Sequence, residues 1–275
     1  MMAGKARIGM VDFINTAPIY EVWRQQVREP GWRVTEAVPS VLNRMIRKGE
    51  LDLGFVSSLE FARNPEKYLI MPSLSISSTG AVGSVFLASR TPLSELSGRD
   101  LTFSGQSRSS SALARIVCEE FMGLHPVYRQ AEVGEEPGGG EAVVVIGDEA
   151  LRMADDGGFP HILDLGEVWF AHTGLPFVFA LWVVRRDFVV SSPQTAREVH
   201  RALISCLAEG RENLSRISAE VAGRIPLDPG RCYRYLAGLE YDLDEEKVKG
   251  LGHFYALLAE RGEIPGPVEL EIWYP

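Results

Sequence analysis

The chain has 275 residues, 45% of them hydrophobic and 24% charged, and a net charge of −9. That composition is globular, supports a core that needs no staple, and argues against a nucleic-acid partner. Cys118, Cys206 and Cys232 are widely spaced with no Cys-x-x-Cys pair, which argues against a disulfide framework or zinc site; the N-terminus shows no apolar signal segment, so a cytoplasmic protein with no membrane partner is expected.

Residues 7–13 alternate weakly and predict a first strand; Asn15-Thr-Ala-Pro18 then opens a helix to about Val27, with Pro18 in its first turn. A second strand is expected over 32–38, a helix capped by Ser40 over 41–48, and a third strand over 51–56 that ends at Ser57-Ser58 before a short helix through Phe61. This β-α-β-α-β order is that of an open α/β sheet, whose ligands bind at the carboxyl ends of strands. Further strands are expected over 69–75, 82–89, 101–103, 128–133, 142–146 and 161–165, with helices over 112–122 and from 149 to 154. The Pro/Gly-rich stretch 135–141 reads as a surface loop.

Thr173-Gly-Leu-Pro-Phe-Val-Phe-Ala-Leu-Trp182, extended by Val183 and Val184, is too short for a membrane helix and suits a strand buried on both faces. Thr173 and Gly174 form a polar threshold before it. Ser191-Ser192-Pro193 caps a long helix to about Leu214, and two more helices follow over 229–239 and 245–261. Two runs of alternating strand and helix followed by a helical tail predict two α/β lobes with a cleft between them. Lobe 1 is expected to comprise residues 1–89 and 175–275 and lobe 2 residues 90–174, with 173–184 as the return crossing.

The polar residues after strand ends are mostly hydroxyls and amides: Asn15, Ser57, Ser58, Ser107 to Ser111, Asp148 and Thr173. Ser107, Ser109 and Ser110 at a helix start are either an anion site built from backbone N–H groups and hydroxyls or a plain N-cap; Arg108 among them reads as solvent-facing. Ser84 stands between glycines and an apolar strand, as a site residue or a bulge. Asp148 either caps a helix or serves a ligand, and His172 is either a general base or a solvated loop residue. No Gly-x-Gly-x-x-Gly, Walker loop, Gly-x-Ser-x-Gly elbow or metal-spaced histidine pair occurs, so neither a cofactor nor a metal is expected.

Taken together, Val11-Asp-Phe-Ile-Asn-Thr-Ala-Pro18, Pro39-Ser40, Leu51-Asp-Leu-Gly-Phe-Val-Ser-Ser58, Gly80-Ala-Val-Gly-Ser-Val-Phe-Leu87, Ser107-Arg-Ser-Ser110, Ile146-Gly-Asp-Glu-Ala-Leu151 and the stretch 164–182 resemble the chorismate dehydratase family of the futalosine route to menaquinone. The order and spacing of these pieces carry the resemblance, which runs to about residue 185. Ser109-Ser110 departs from the family's usual Thr-Ser, a change that keeps the hydroxyl. The resemblance implies a two-lobed fold similar to type 2 periplasmic binding proteins, with the helical tail on lobe 1. It implies a lyase that dehydrates chorismate, with Asn15 and Ser84 at the reacting centre. Ser57, Ser58, Ser107, Ser109, Ser110, Asp148, Thr173 and Gly174 are then the expected substrate contacts. The alternatives are a non-catalytic small-anion binding protein of the same fold, a ligand-sensing domain, and the sister enzyme 1,4-dihydroxy-6-naphthoate synthase, which opens with a different N-terminal motif. The oligomeric state is open.

Overall fold

The computed structural model describes residues 4–104, 108–131 and 140–275, with only the backbone considered at 155 and 156. Ser107 and most of the 135–141 loop lie outside the described residues. Among the described residues, ten strands form two sheets. The first has the order β2-β1-β3-β10-β4, from β1 (Ala6–Val11), β2 (Trp32–Ala37), β3 (Leu53–Ser57), β4 (Tyr68–Ser78) and β10 (Phe177–Arg185). The second has the order β7-β6-β8-β5-β9, from β5 (Val85–Ser89), β6 (Asp100–Phe103), β7 (Val127–Gln130), β8 (Ala142–Ile146) and β9 (His161–Asp164).

Strand β5 was expected with the first lobe, but it pairs antiparallel with β8 and β9 in the second sheet. The crossing therefore falls between Ser78 and Val85. An apolar run shows that a strand is buried, not which sheet it joins. The return crossing does lead into β10, which runs antiparallel between β3 and β4. Phe177, Val178 and Leu181 to Val184 are buried, as a central strand covered on both faces requires. The carboxyl ends of β1, β3 and β4 and the start of β10 thus meet at one edge of the first sheet. The end of β8 and the start of β5 meet at one edge of the second.

Helices α1 (Ala17–Gln26), α2 (Pro39–Arg47) and α3 (Ser58–Arg63) connect the first sheet. Val38 rather than Ser40 precedes the first turn of α2, because Pro39 occupies N1. In the second lobe, α4 (Arg108–Ile116) runs into a wide turn over Val117–Phe121, and α5 (Gly147–Asp156) follows β8 directly. Helix α6 (Leu165–Thr173) was not expected; its apolar residues carry almost no helical stripe, so periodicity alone does not reveal it. Asp164 starts it, accepting from the Gly166 and Glu167 amides.

The tail contains α7 (Arg186–Ser191), α8 (Pro193–Glu212), α9 (Leu214–Ala222), α10 (Pro229–Gly238) and α11 (Glu245–Glu260); α7 and α9 were missed as separate helices. It packs on the first lobe, α8 against α1 and β4, and α11 against β10. Gly250 permits the second contact, since a Cβ there would lie 2.1 Å from the Pro176 carbonyl oxygen. No helix among the described residues is long and apolar enough to cross a membrane.

Candidate active site

The facing edges of the two sheets flank a small, partly open pocket. Phe13, Phe55, Ile76, Val82 and Phe179 give it apolar walls, while Asn15, Ser57, Ser84 and Ser110 bring polar groups to it. The described lining contains no lysine, arginine or histidine. An anion there must be held by neutral donors.

Asn15 sits in the single turn Ile14–Thr16 between β1 and α1. Three contacts pin this turn. Thr16 Oγ1 donates to the Val11 carbonyl at 2.8 Å, the Ile14 amide donates to Asp148 Oδ1 at 3.0 Å, and the Tyr241 hydroxyl donates to the Asn15 carbonyl at 2.8 Å. The Asn15 side-chain oxygen is nevertheless buried with no protein partner. Leaving a buried acceptor unmet costs about 1–3 kcal/mol, so the turn holds out an acceptor that no protein group meets.

Ser84 lies in the first crossing and is 3% exposed. Asp164 fixes this segment, accepting from the Val82 and Gly83 amides at 3.1 and 2.7 Å. The Tyr235 hydroxyl donates to Ser84 Oγ at 3.0 Å. Burial raises the Tyr235 phenol well above its ordinary value, so it stays protonated and acts as a donor. Ser84's own proton is then directed away from Tyr235. Ser57 is set in a similar way: Asn43 Nδ2 and the Glu60 amide both donate to its oxygen, at 3.0 and 3.3 Å, which leaves its proton to give.

The remaining expected site residues have other occupations. Ser58 and Ser109 are buried and bond each other across the lobes at 3.2 Å; Ser109 Oγ also accepts from the Leu59 amide at 2.8 Å. Thr173 and Gly174 do not line the cavity. Thr173 Oγ1 donates back to the Trp169 carbonyl at 2.8 Å, and Gly174, at φ +69°, caps α6, so the polar threshold is a helix end. His172 is exposed, stacks on Phe121 at 4.6 Å and places Nδ1 3.0 Å from the Val168 carbonyl, also away from the cavity. Ser110 does line it. Tyr235, Tyr241 and Asn43 were missed, and nothing in the sequence marks them: Tyr235 meets Ser84 across 151 residues.

Asp148 ties the lobes together through the Ile14 amide. Beside it Gly147, at φ +61°, approaches Phe13 so closely that a Cβ would lie 2.7 Å from the ring. Burial raises the Asp148 carboxyl from 3.8 to about 6, opposed by the Ile14 amide and Arg152. A carboxyl with a raised folded pKa stabilises the fold when protonated; that contribution is complete below about pH 4 and is lost as pH rises through about 6. The shift corresponds to at most about 3 kcal/mol, and partial exposure reduces it to about 1–2 kcal/mol. Asp148→Asn keeps an acceptor for Ile14. It is expected to melt above wild type at about pH 8 and level with it below about pH 4. A variant less stable at the higher pH contradicts this.

The sequence family described as menaquinone biosynthesis matches residues 6–260. The chain belongs to the menaquinone-biosynthesis family. It is 31% identical to the chorismate dehydratase of Thermus thermophilus over 90% of this chain and 93% of that one. It is 28% identical to the Campylobacter jejuni chorismate dehydratase over 62% of this chain and 64% of that one. The 1,4-dihydroxy-6-naphthoate synthase of Thermus thermophilus is 25% identical over 82% and 83%. Among solved structures, an Archaeoglobus fulgidus protein superposes with a TM-score of 0.76 at 21% identity, covering 94% of this chain and 98% of that one. The periplasmic aliphatic sulphonate binding protein of Escherichia coli superposes with a TM-score of 0.68 at 16% identity, covering 98% and 92%. The fold of this family member is therefore the two-lobed periplasmic-binding-protein fold.

Proposed function

We propose that this chain is a chorismate dehydratase, a carbon–oxygen lyase that converts chorismate to 3-[(1-carboxyvinyl)oxy]benzoate in menaquinone biosynthesis by the futalosine route. The observation that carries the reading is the pairing of Asn15 and Ser84. One is a buried amide oxygen lacking a donor, the other a hydroxyl held by Tyr235, and both line one cation-free apolar cavity. Chorismate offers a ring hydroxyl to the first and needs a donor at its departing oxygen from the second.

Loss of water makes the ring aromatic, so the enzyme has to lower one barrier and suppress rearrangement and loss of pyruvate. An apolar pocket between two lobes does both by fixing one conformer and shedding water. Ser57 and Ser110 hold the carboxylates with neutral donors, Ser110 from the first turn of α4. The proton on the ether-bearing ring carbon passes to a carboxylate of the substrate itself. Its C–H electrons form the ring double bond as the C–O bond to the hydroxyl breaks. Ser84 donates a hydrogen bond to that departing oxygen, and the lifted proton and the hydroxide together make up the water. Asn15 fixes the ring hydroxyl in the leaving orientation.

No protein base is required, which fits the position of His172 outside the cavity. His172→Ala is expected to change kcat by less than about 3-fold, against the ~100- to 10,000-fold that loss of a general base brings. A loss of that larger size in a kinetic assay would overturn the substrate-carboxylate route. Excess chorismate given to a trace of protein separates the enzyme from a binding protein of the same fold. The enzyme consumes many equivalents; a binding protein sequesters at most one.

A further inference from the structure

Back to back with the cavity, across a wall made by Ser57 and its partner Asn43, a groove of about 610 Å³ runs between α2 and the start of α4. It continues past Arg108, Ser111 and Gln130 into a second opening between α3 and β7. Six arginines and three glutamates line the two openings, a net charge of +3 in a chain whose total is −9. The glutamates are already matched: Arg47 reaches Glu60 at 2.6 Å, and Arg261 reaches Glu119 at 2.6 Å and Glu263 at 3.1 Å. Arg44, Arg63, Arg108 and Arg115 make no ion-pair contact with a carboxylate among the described residues. Arg115 lies instead over the Tyr128 ring at 4.5 Å.

This is cationic charge without a resident counter-ion, beside a cavity that has none of its own. We infer that the groove is an anion-docking vestibule that gathers the dicarboxylate substrate at the seam where the lobes close. Burial lowers the Arg63 pKa first and the charge of Arg108 lowers it further, opposed in part by Glu263 and Glu60, which are already committed to Arg261 and Arg47. Which field a substrate feels is decided by range. At physiological salt the Debye length is about 8 Å, so the nearby arginines outweigh the distant acidic surface. The inference rests on the dehydratase reading for the identity of the anion, not for the existence of the site.

Its test turns on a sign. Between about 20 and about 300 mM KCl, wild-type kcat/KM for chorismate is expected to fall about 5- to 10-fold, because screening weakens an attraction. If the overall negative charge ruled, kcat/KM would rise instead. Arg44→Gln combined with Arg63→Gln is expected to lower kcat/KM about 5-fold at low salt, flatten or reverse the salt slope, and leave kcat unchanged. A wild-type kcat/KM that is flat or rises with salt overturns the vestibule, as does a double variant with the wild-type slope. Should chorismate not turn over at all, the functional reading falls and the groove is tested separately by calorimetric titration with inorganic phosphate. Binding by wild type that the double variant loses sustains the groove; equal binding by both, or binding by neither, overturns it.

Discussion

Replacing Asn15 by alanine is expected to lower kcat roughly 100- to 1,000-fold, the loss that follows removal of one preorganised polar group from a reacting centre. KM should move little, because the dicarboxylate is held by the serines and the helix start rather than by this amide. Stability should not fall. The amide oxygen makes no protein hydrogen bond, and the turn that carries it is held through backbone groups by Asp148 and Tyr241. Removing a buried unmet acceptor is expected to raise stability by about 1 kcal/mol, so activity and melting temperature should move in opposite directions. A variant with near-normal kcat would place the reacting centre elsewhere. One that melts much lower would show that Asn15 is structural.

Ser84→Ala is expected to lower kcat about 100-fold and, unlike Asn15→Ala, to destabilise the fold. It strands the Tyr235 hydroxyl, a buried donor whose partner is Ser84 Oγ, at a cost of about 1–3 kcal/mol. Tyr235→Phe alone should lower kcat about 10-fold, because the serine rotor is no longer set. Combined with Ser84→Ala it should restore stability, since both partners are then apolar, and should cost no further activity. Additive losses in kcat would mean that Tyr235 acts by another route. Melting curves and kcat for the four proteins of this cycle decide it.

The sheet strands were legible because their residues keep a period of two or form short apolar runs; that β10 returns to the first sheet followed from the order of the two strand-and-helix runs, not from its apolar run. The local signals stop there. Strand β5 was counted with the first lobe, but pairing partners are chosen by the chain's path, which periodicity does not encode. Thr173 and Gly174 looked like a threshold to the cleft because α6 has no apolar stripe to announce it. Once that helix is present, they are its ordinary end.

The cavity itself was half legible. Asn15, Ser57, Ser84 and Ser110 follow strand ends or begin helices, where α/β ligand sites lie, and they do meet. Ser58 and Ser109 satisfy the same rule but are spent on each other, a contact between residues 51 apart in the chain. The tail tyrosines were invisible for the converse reason. Tyr235 lies in α10 and Tyr241 in the segment that follows it, and they reach the site through the hydroxyls they deliver to Ser84 and the Asn15 carbonyl.

The most direct test is mass analysis of the product after chorismate is incubated with the purified 275-residue chain. A single aromatic product lighter than chorismate by one water is expected, formed over many turnovers and slowed by Asn15→Ala and Ser84→Ala. Unchanged chorismate, an isomer of equal mass, or a product that has lost pyruvate would contradict the assignment.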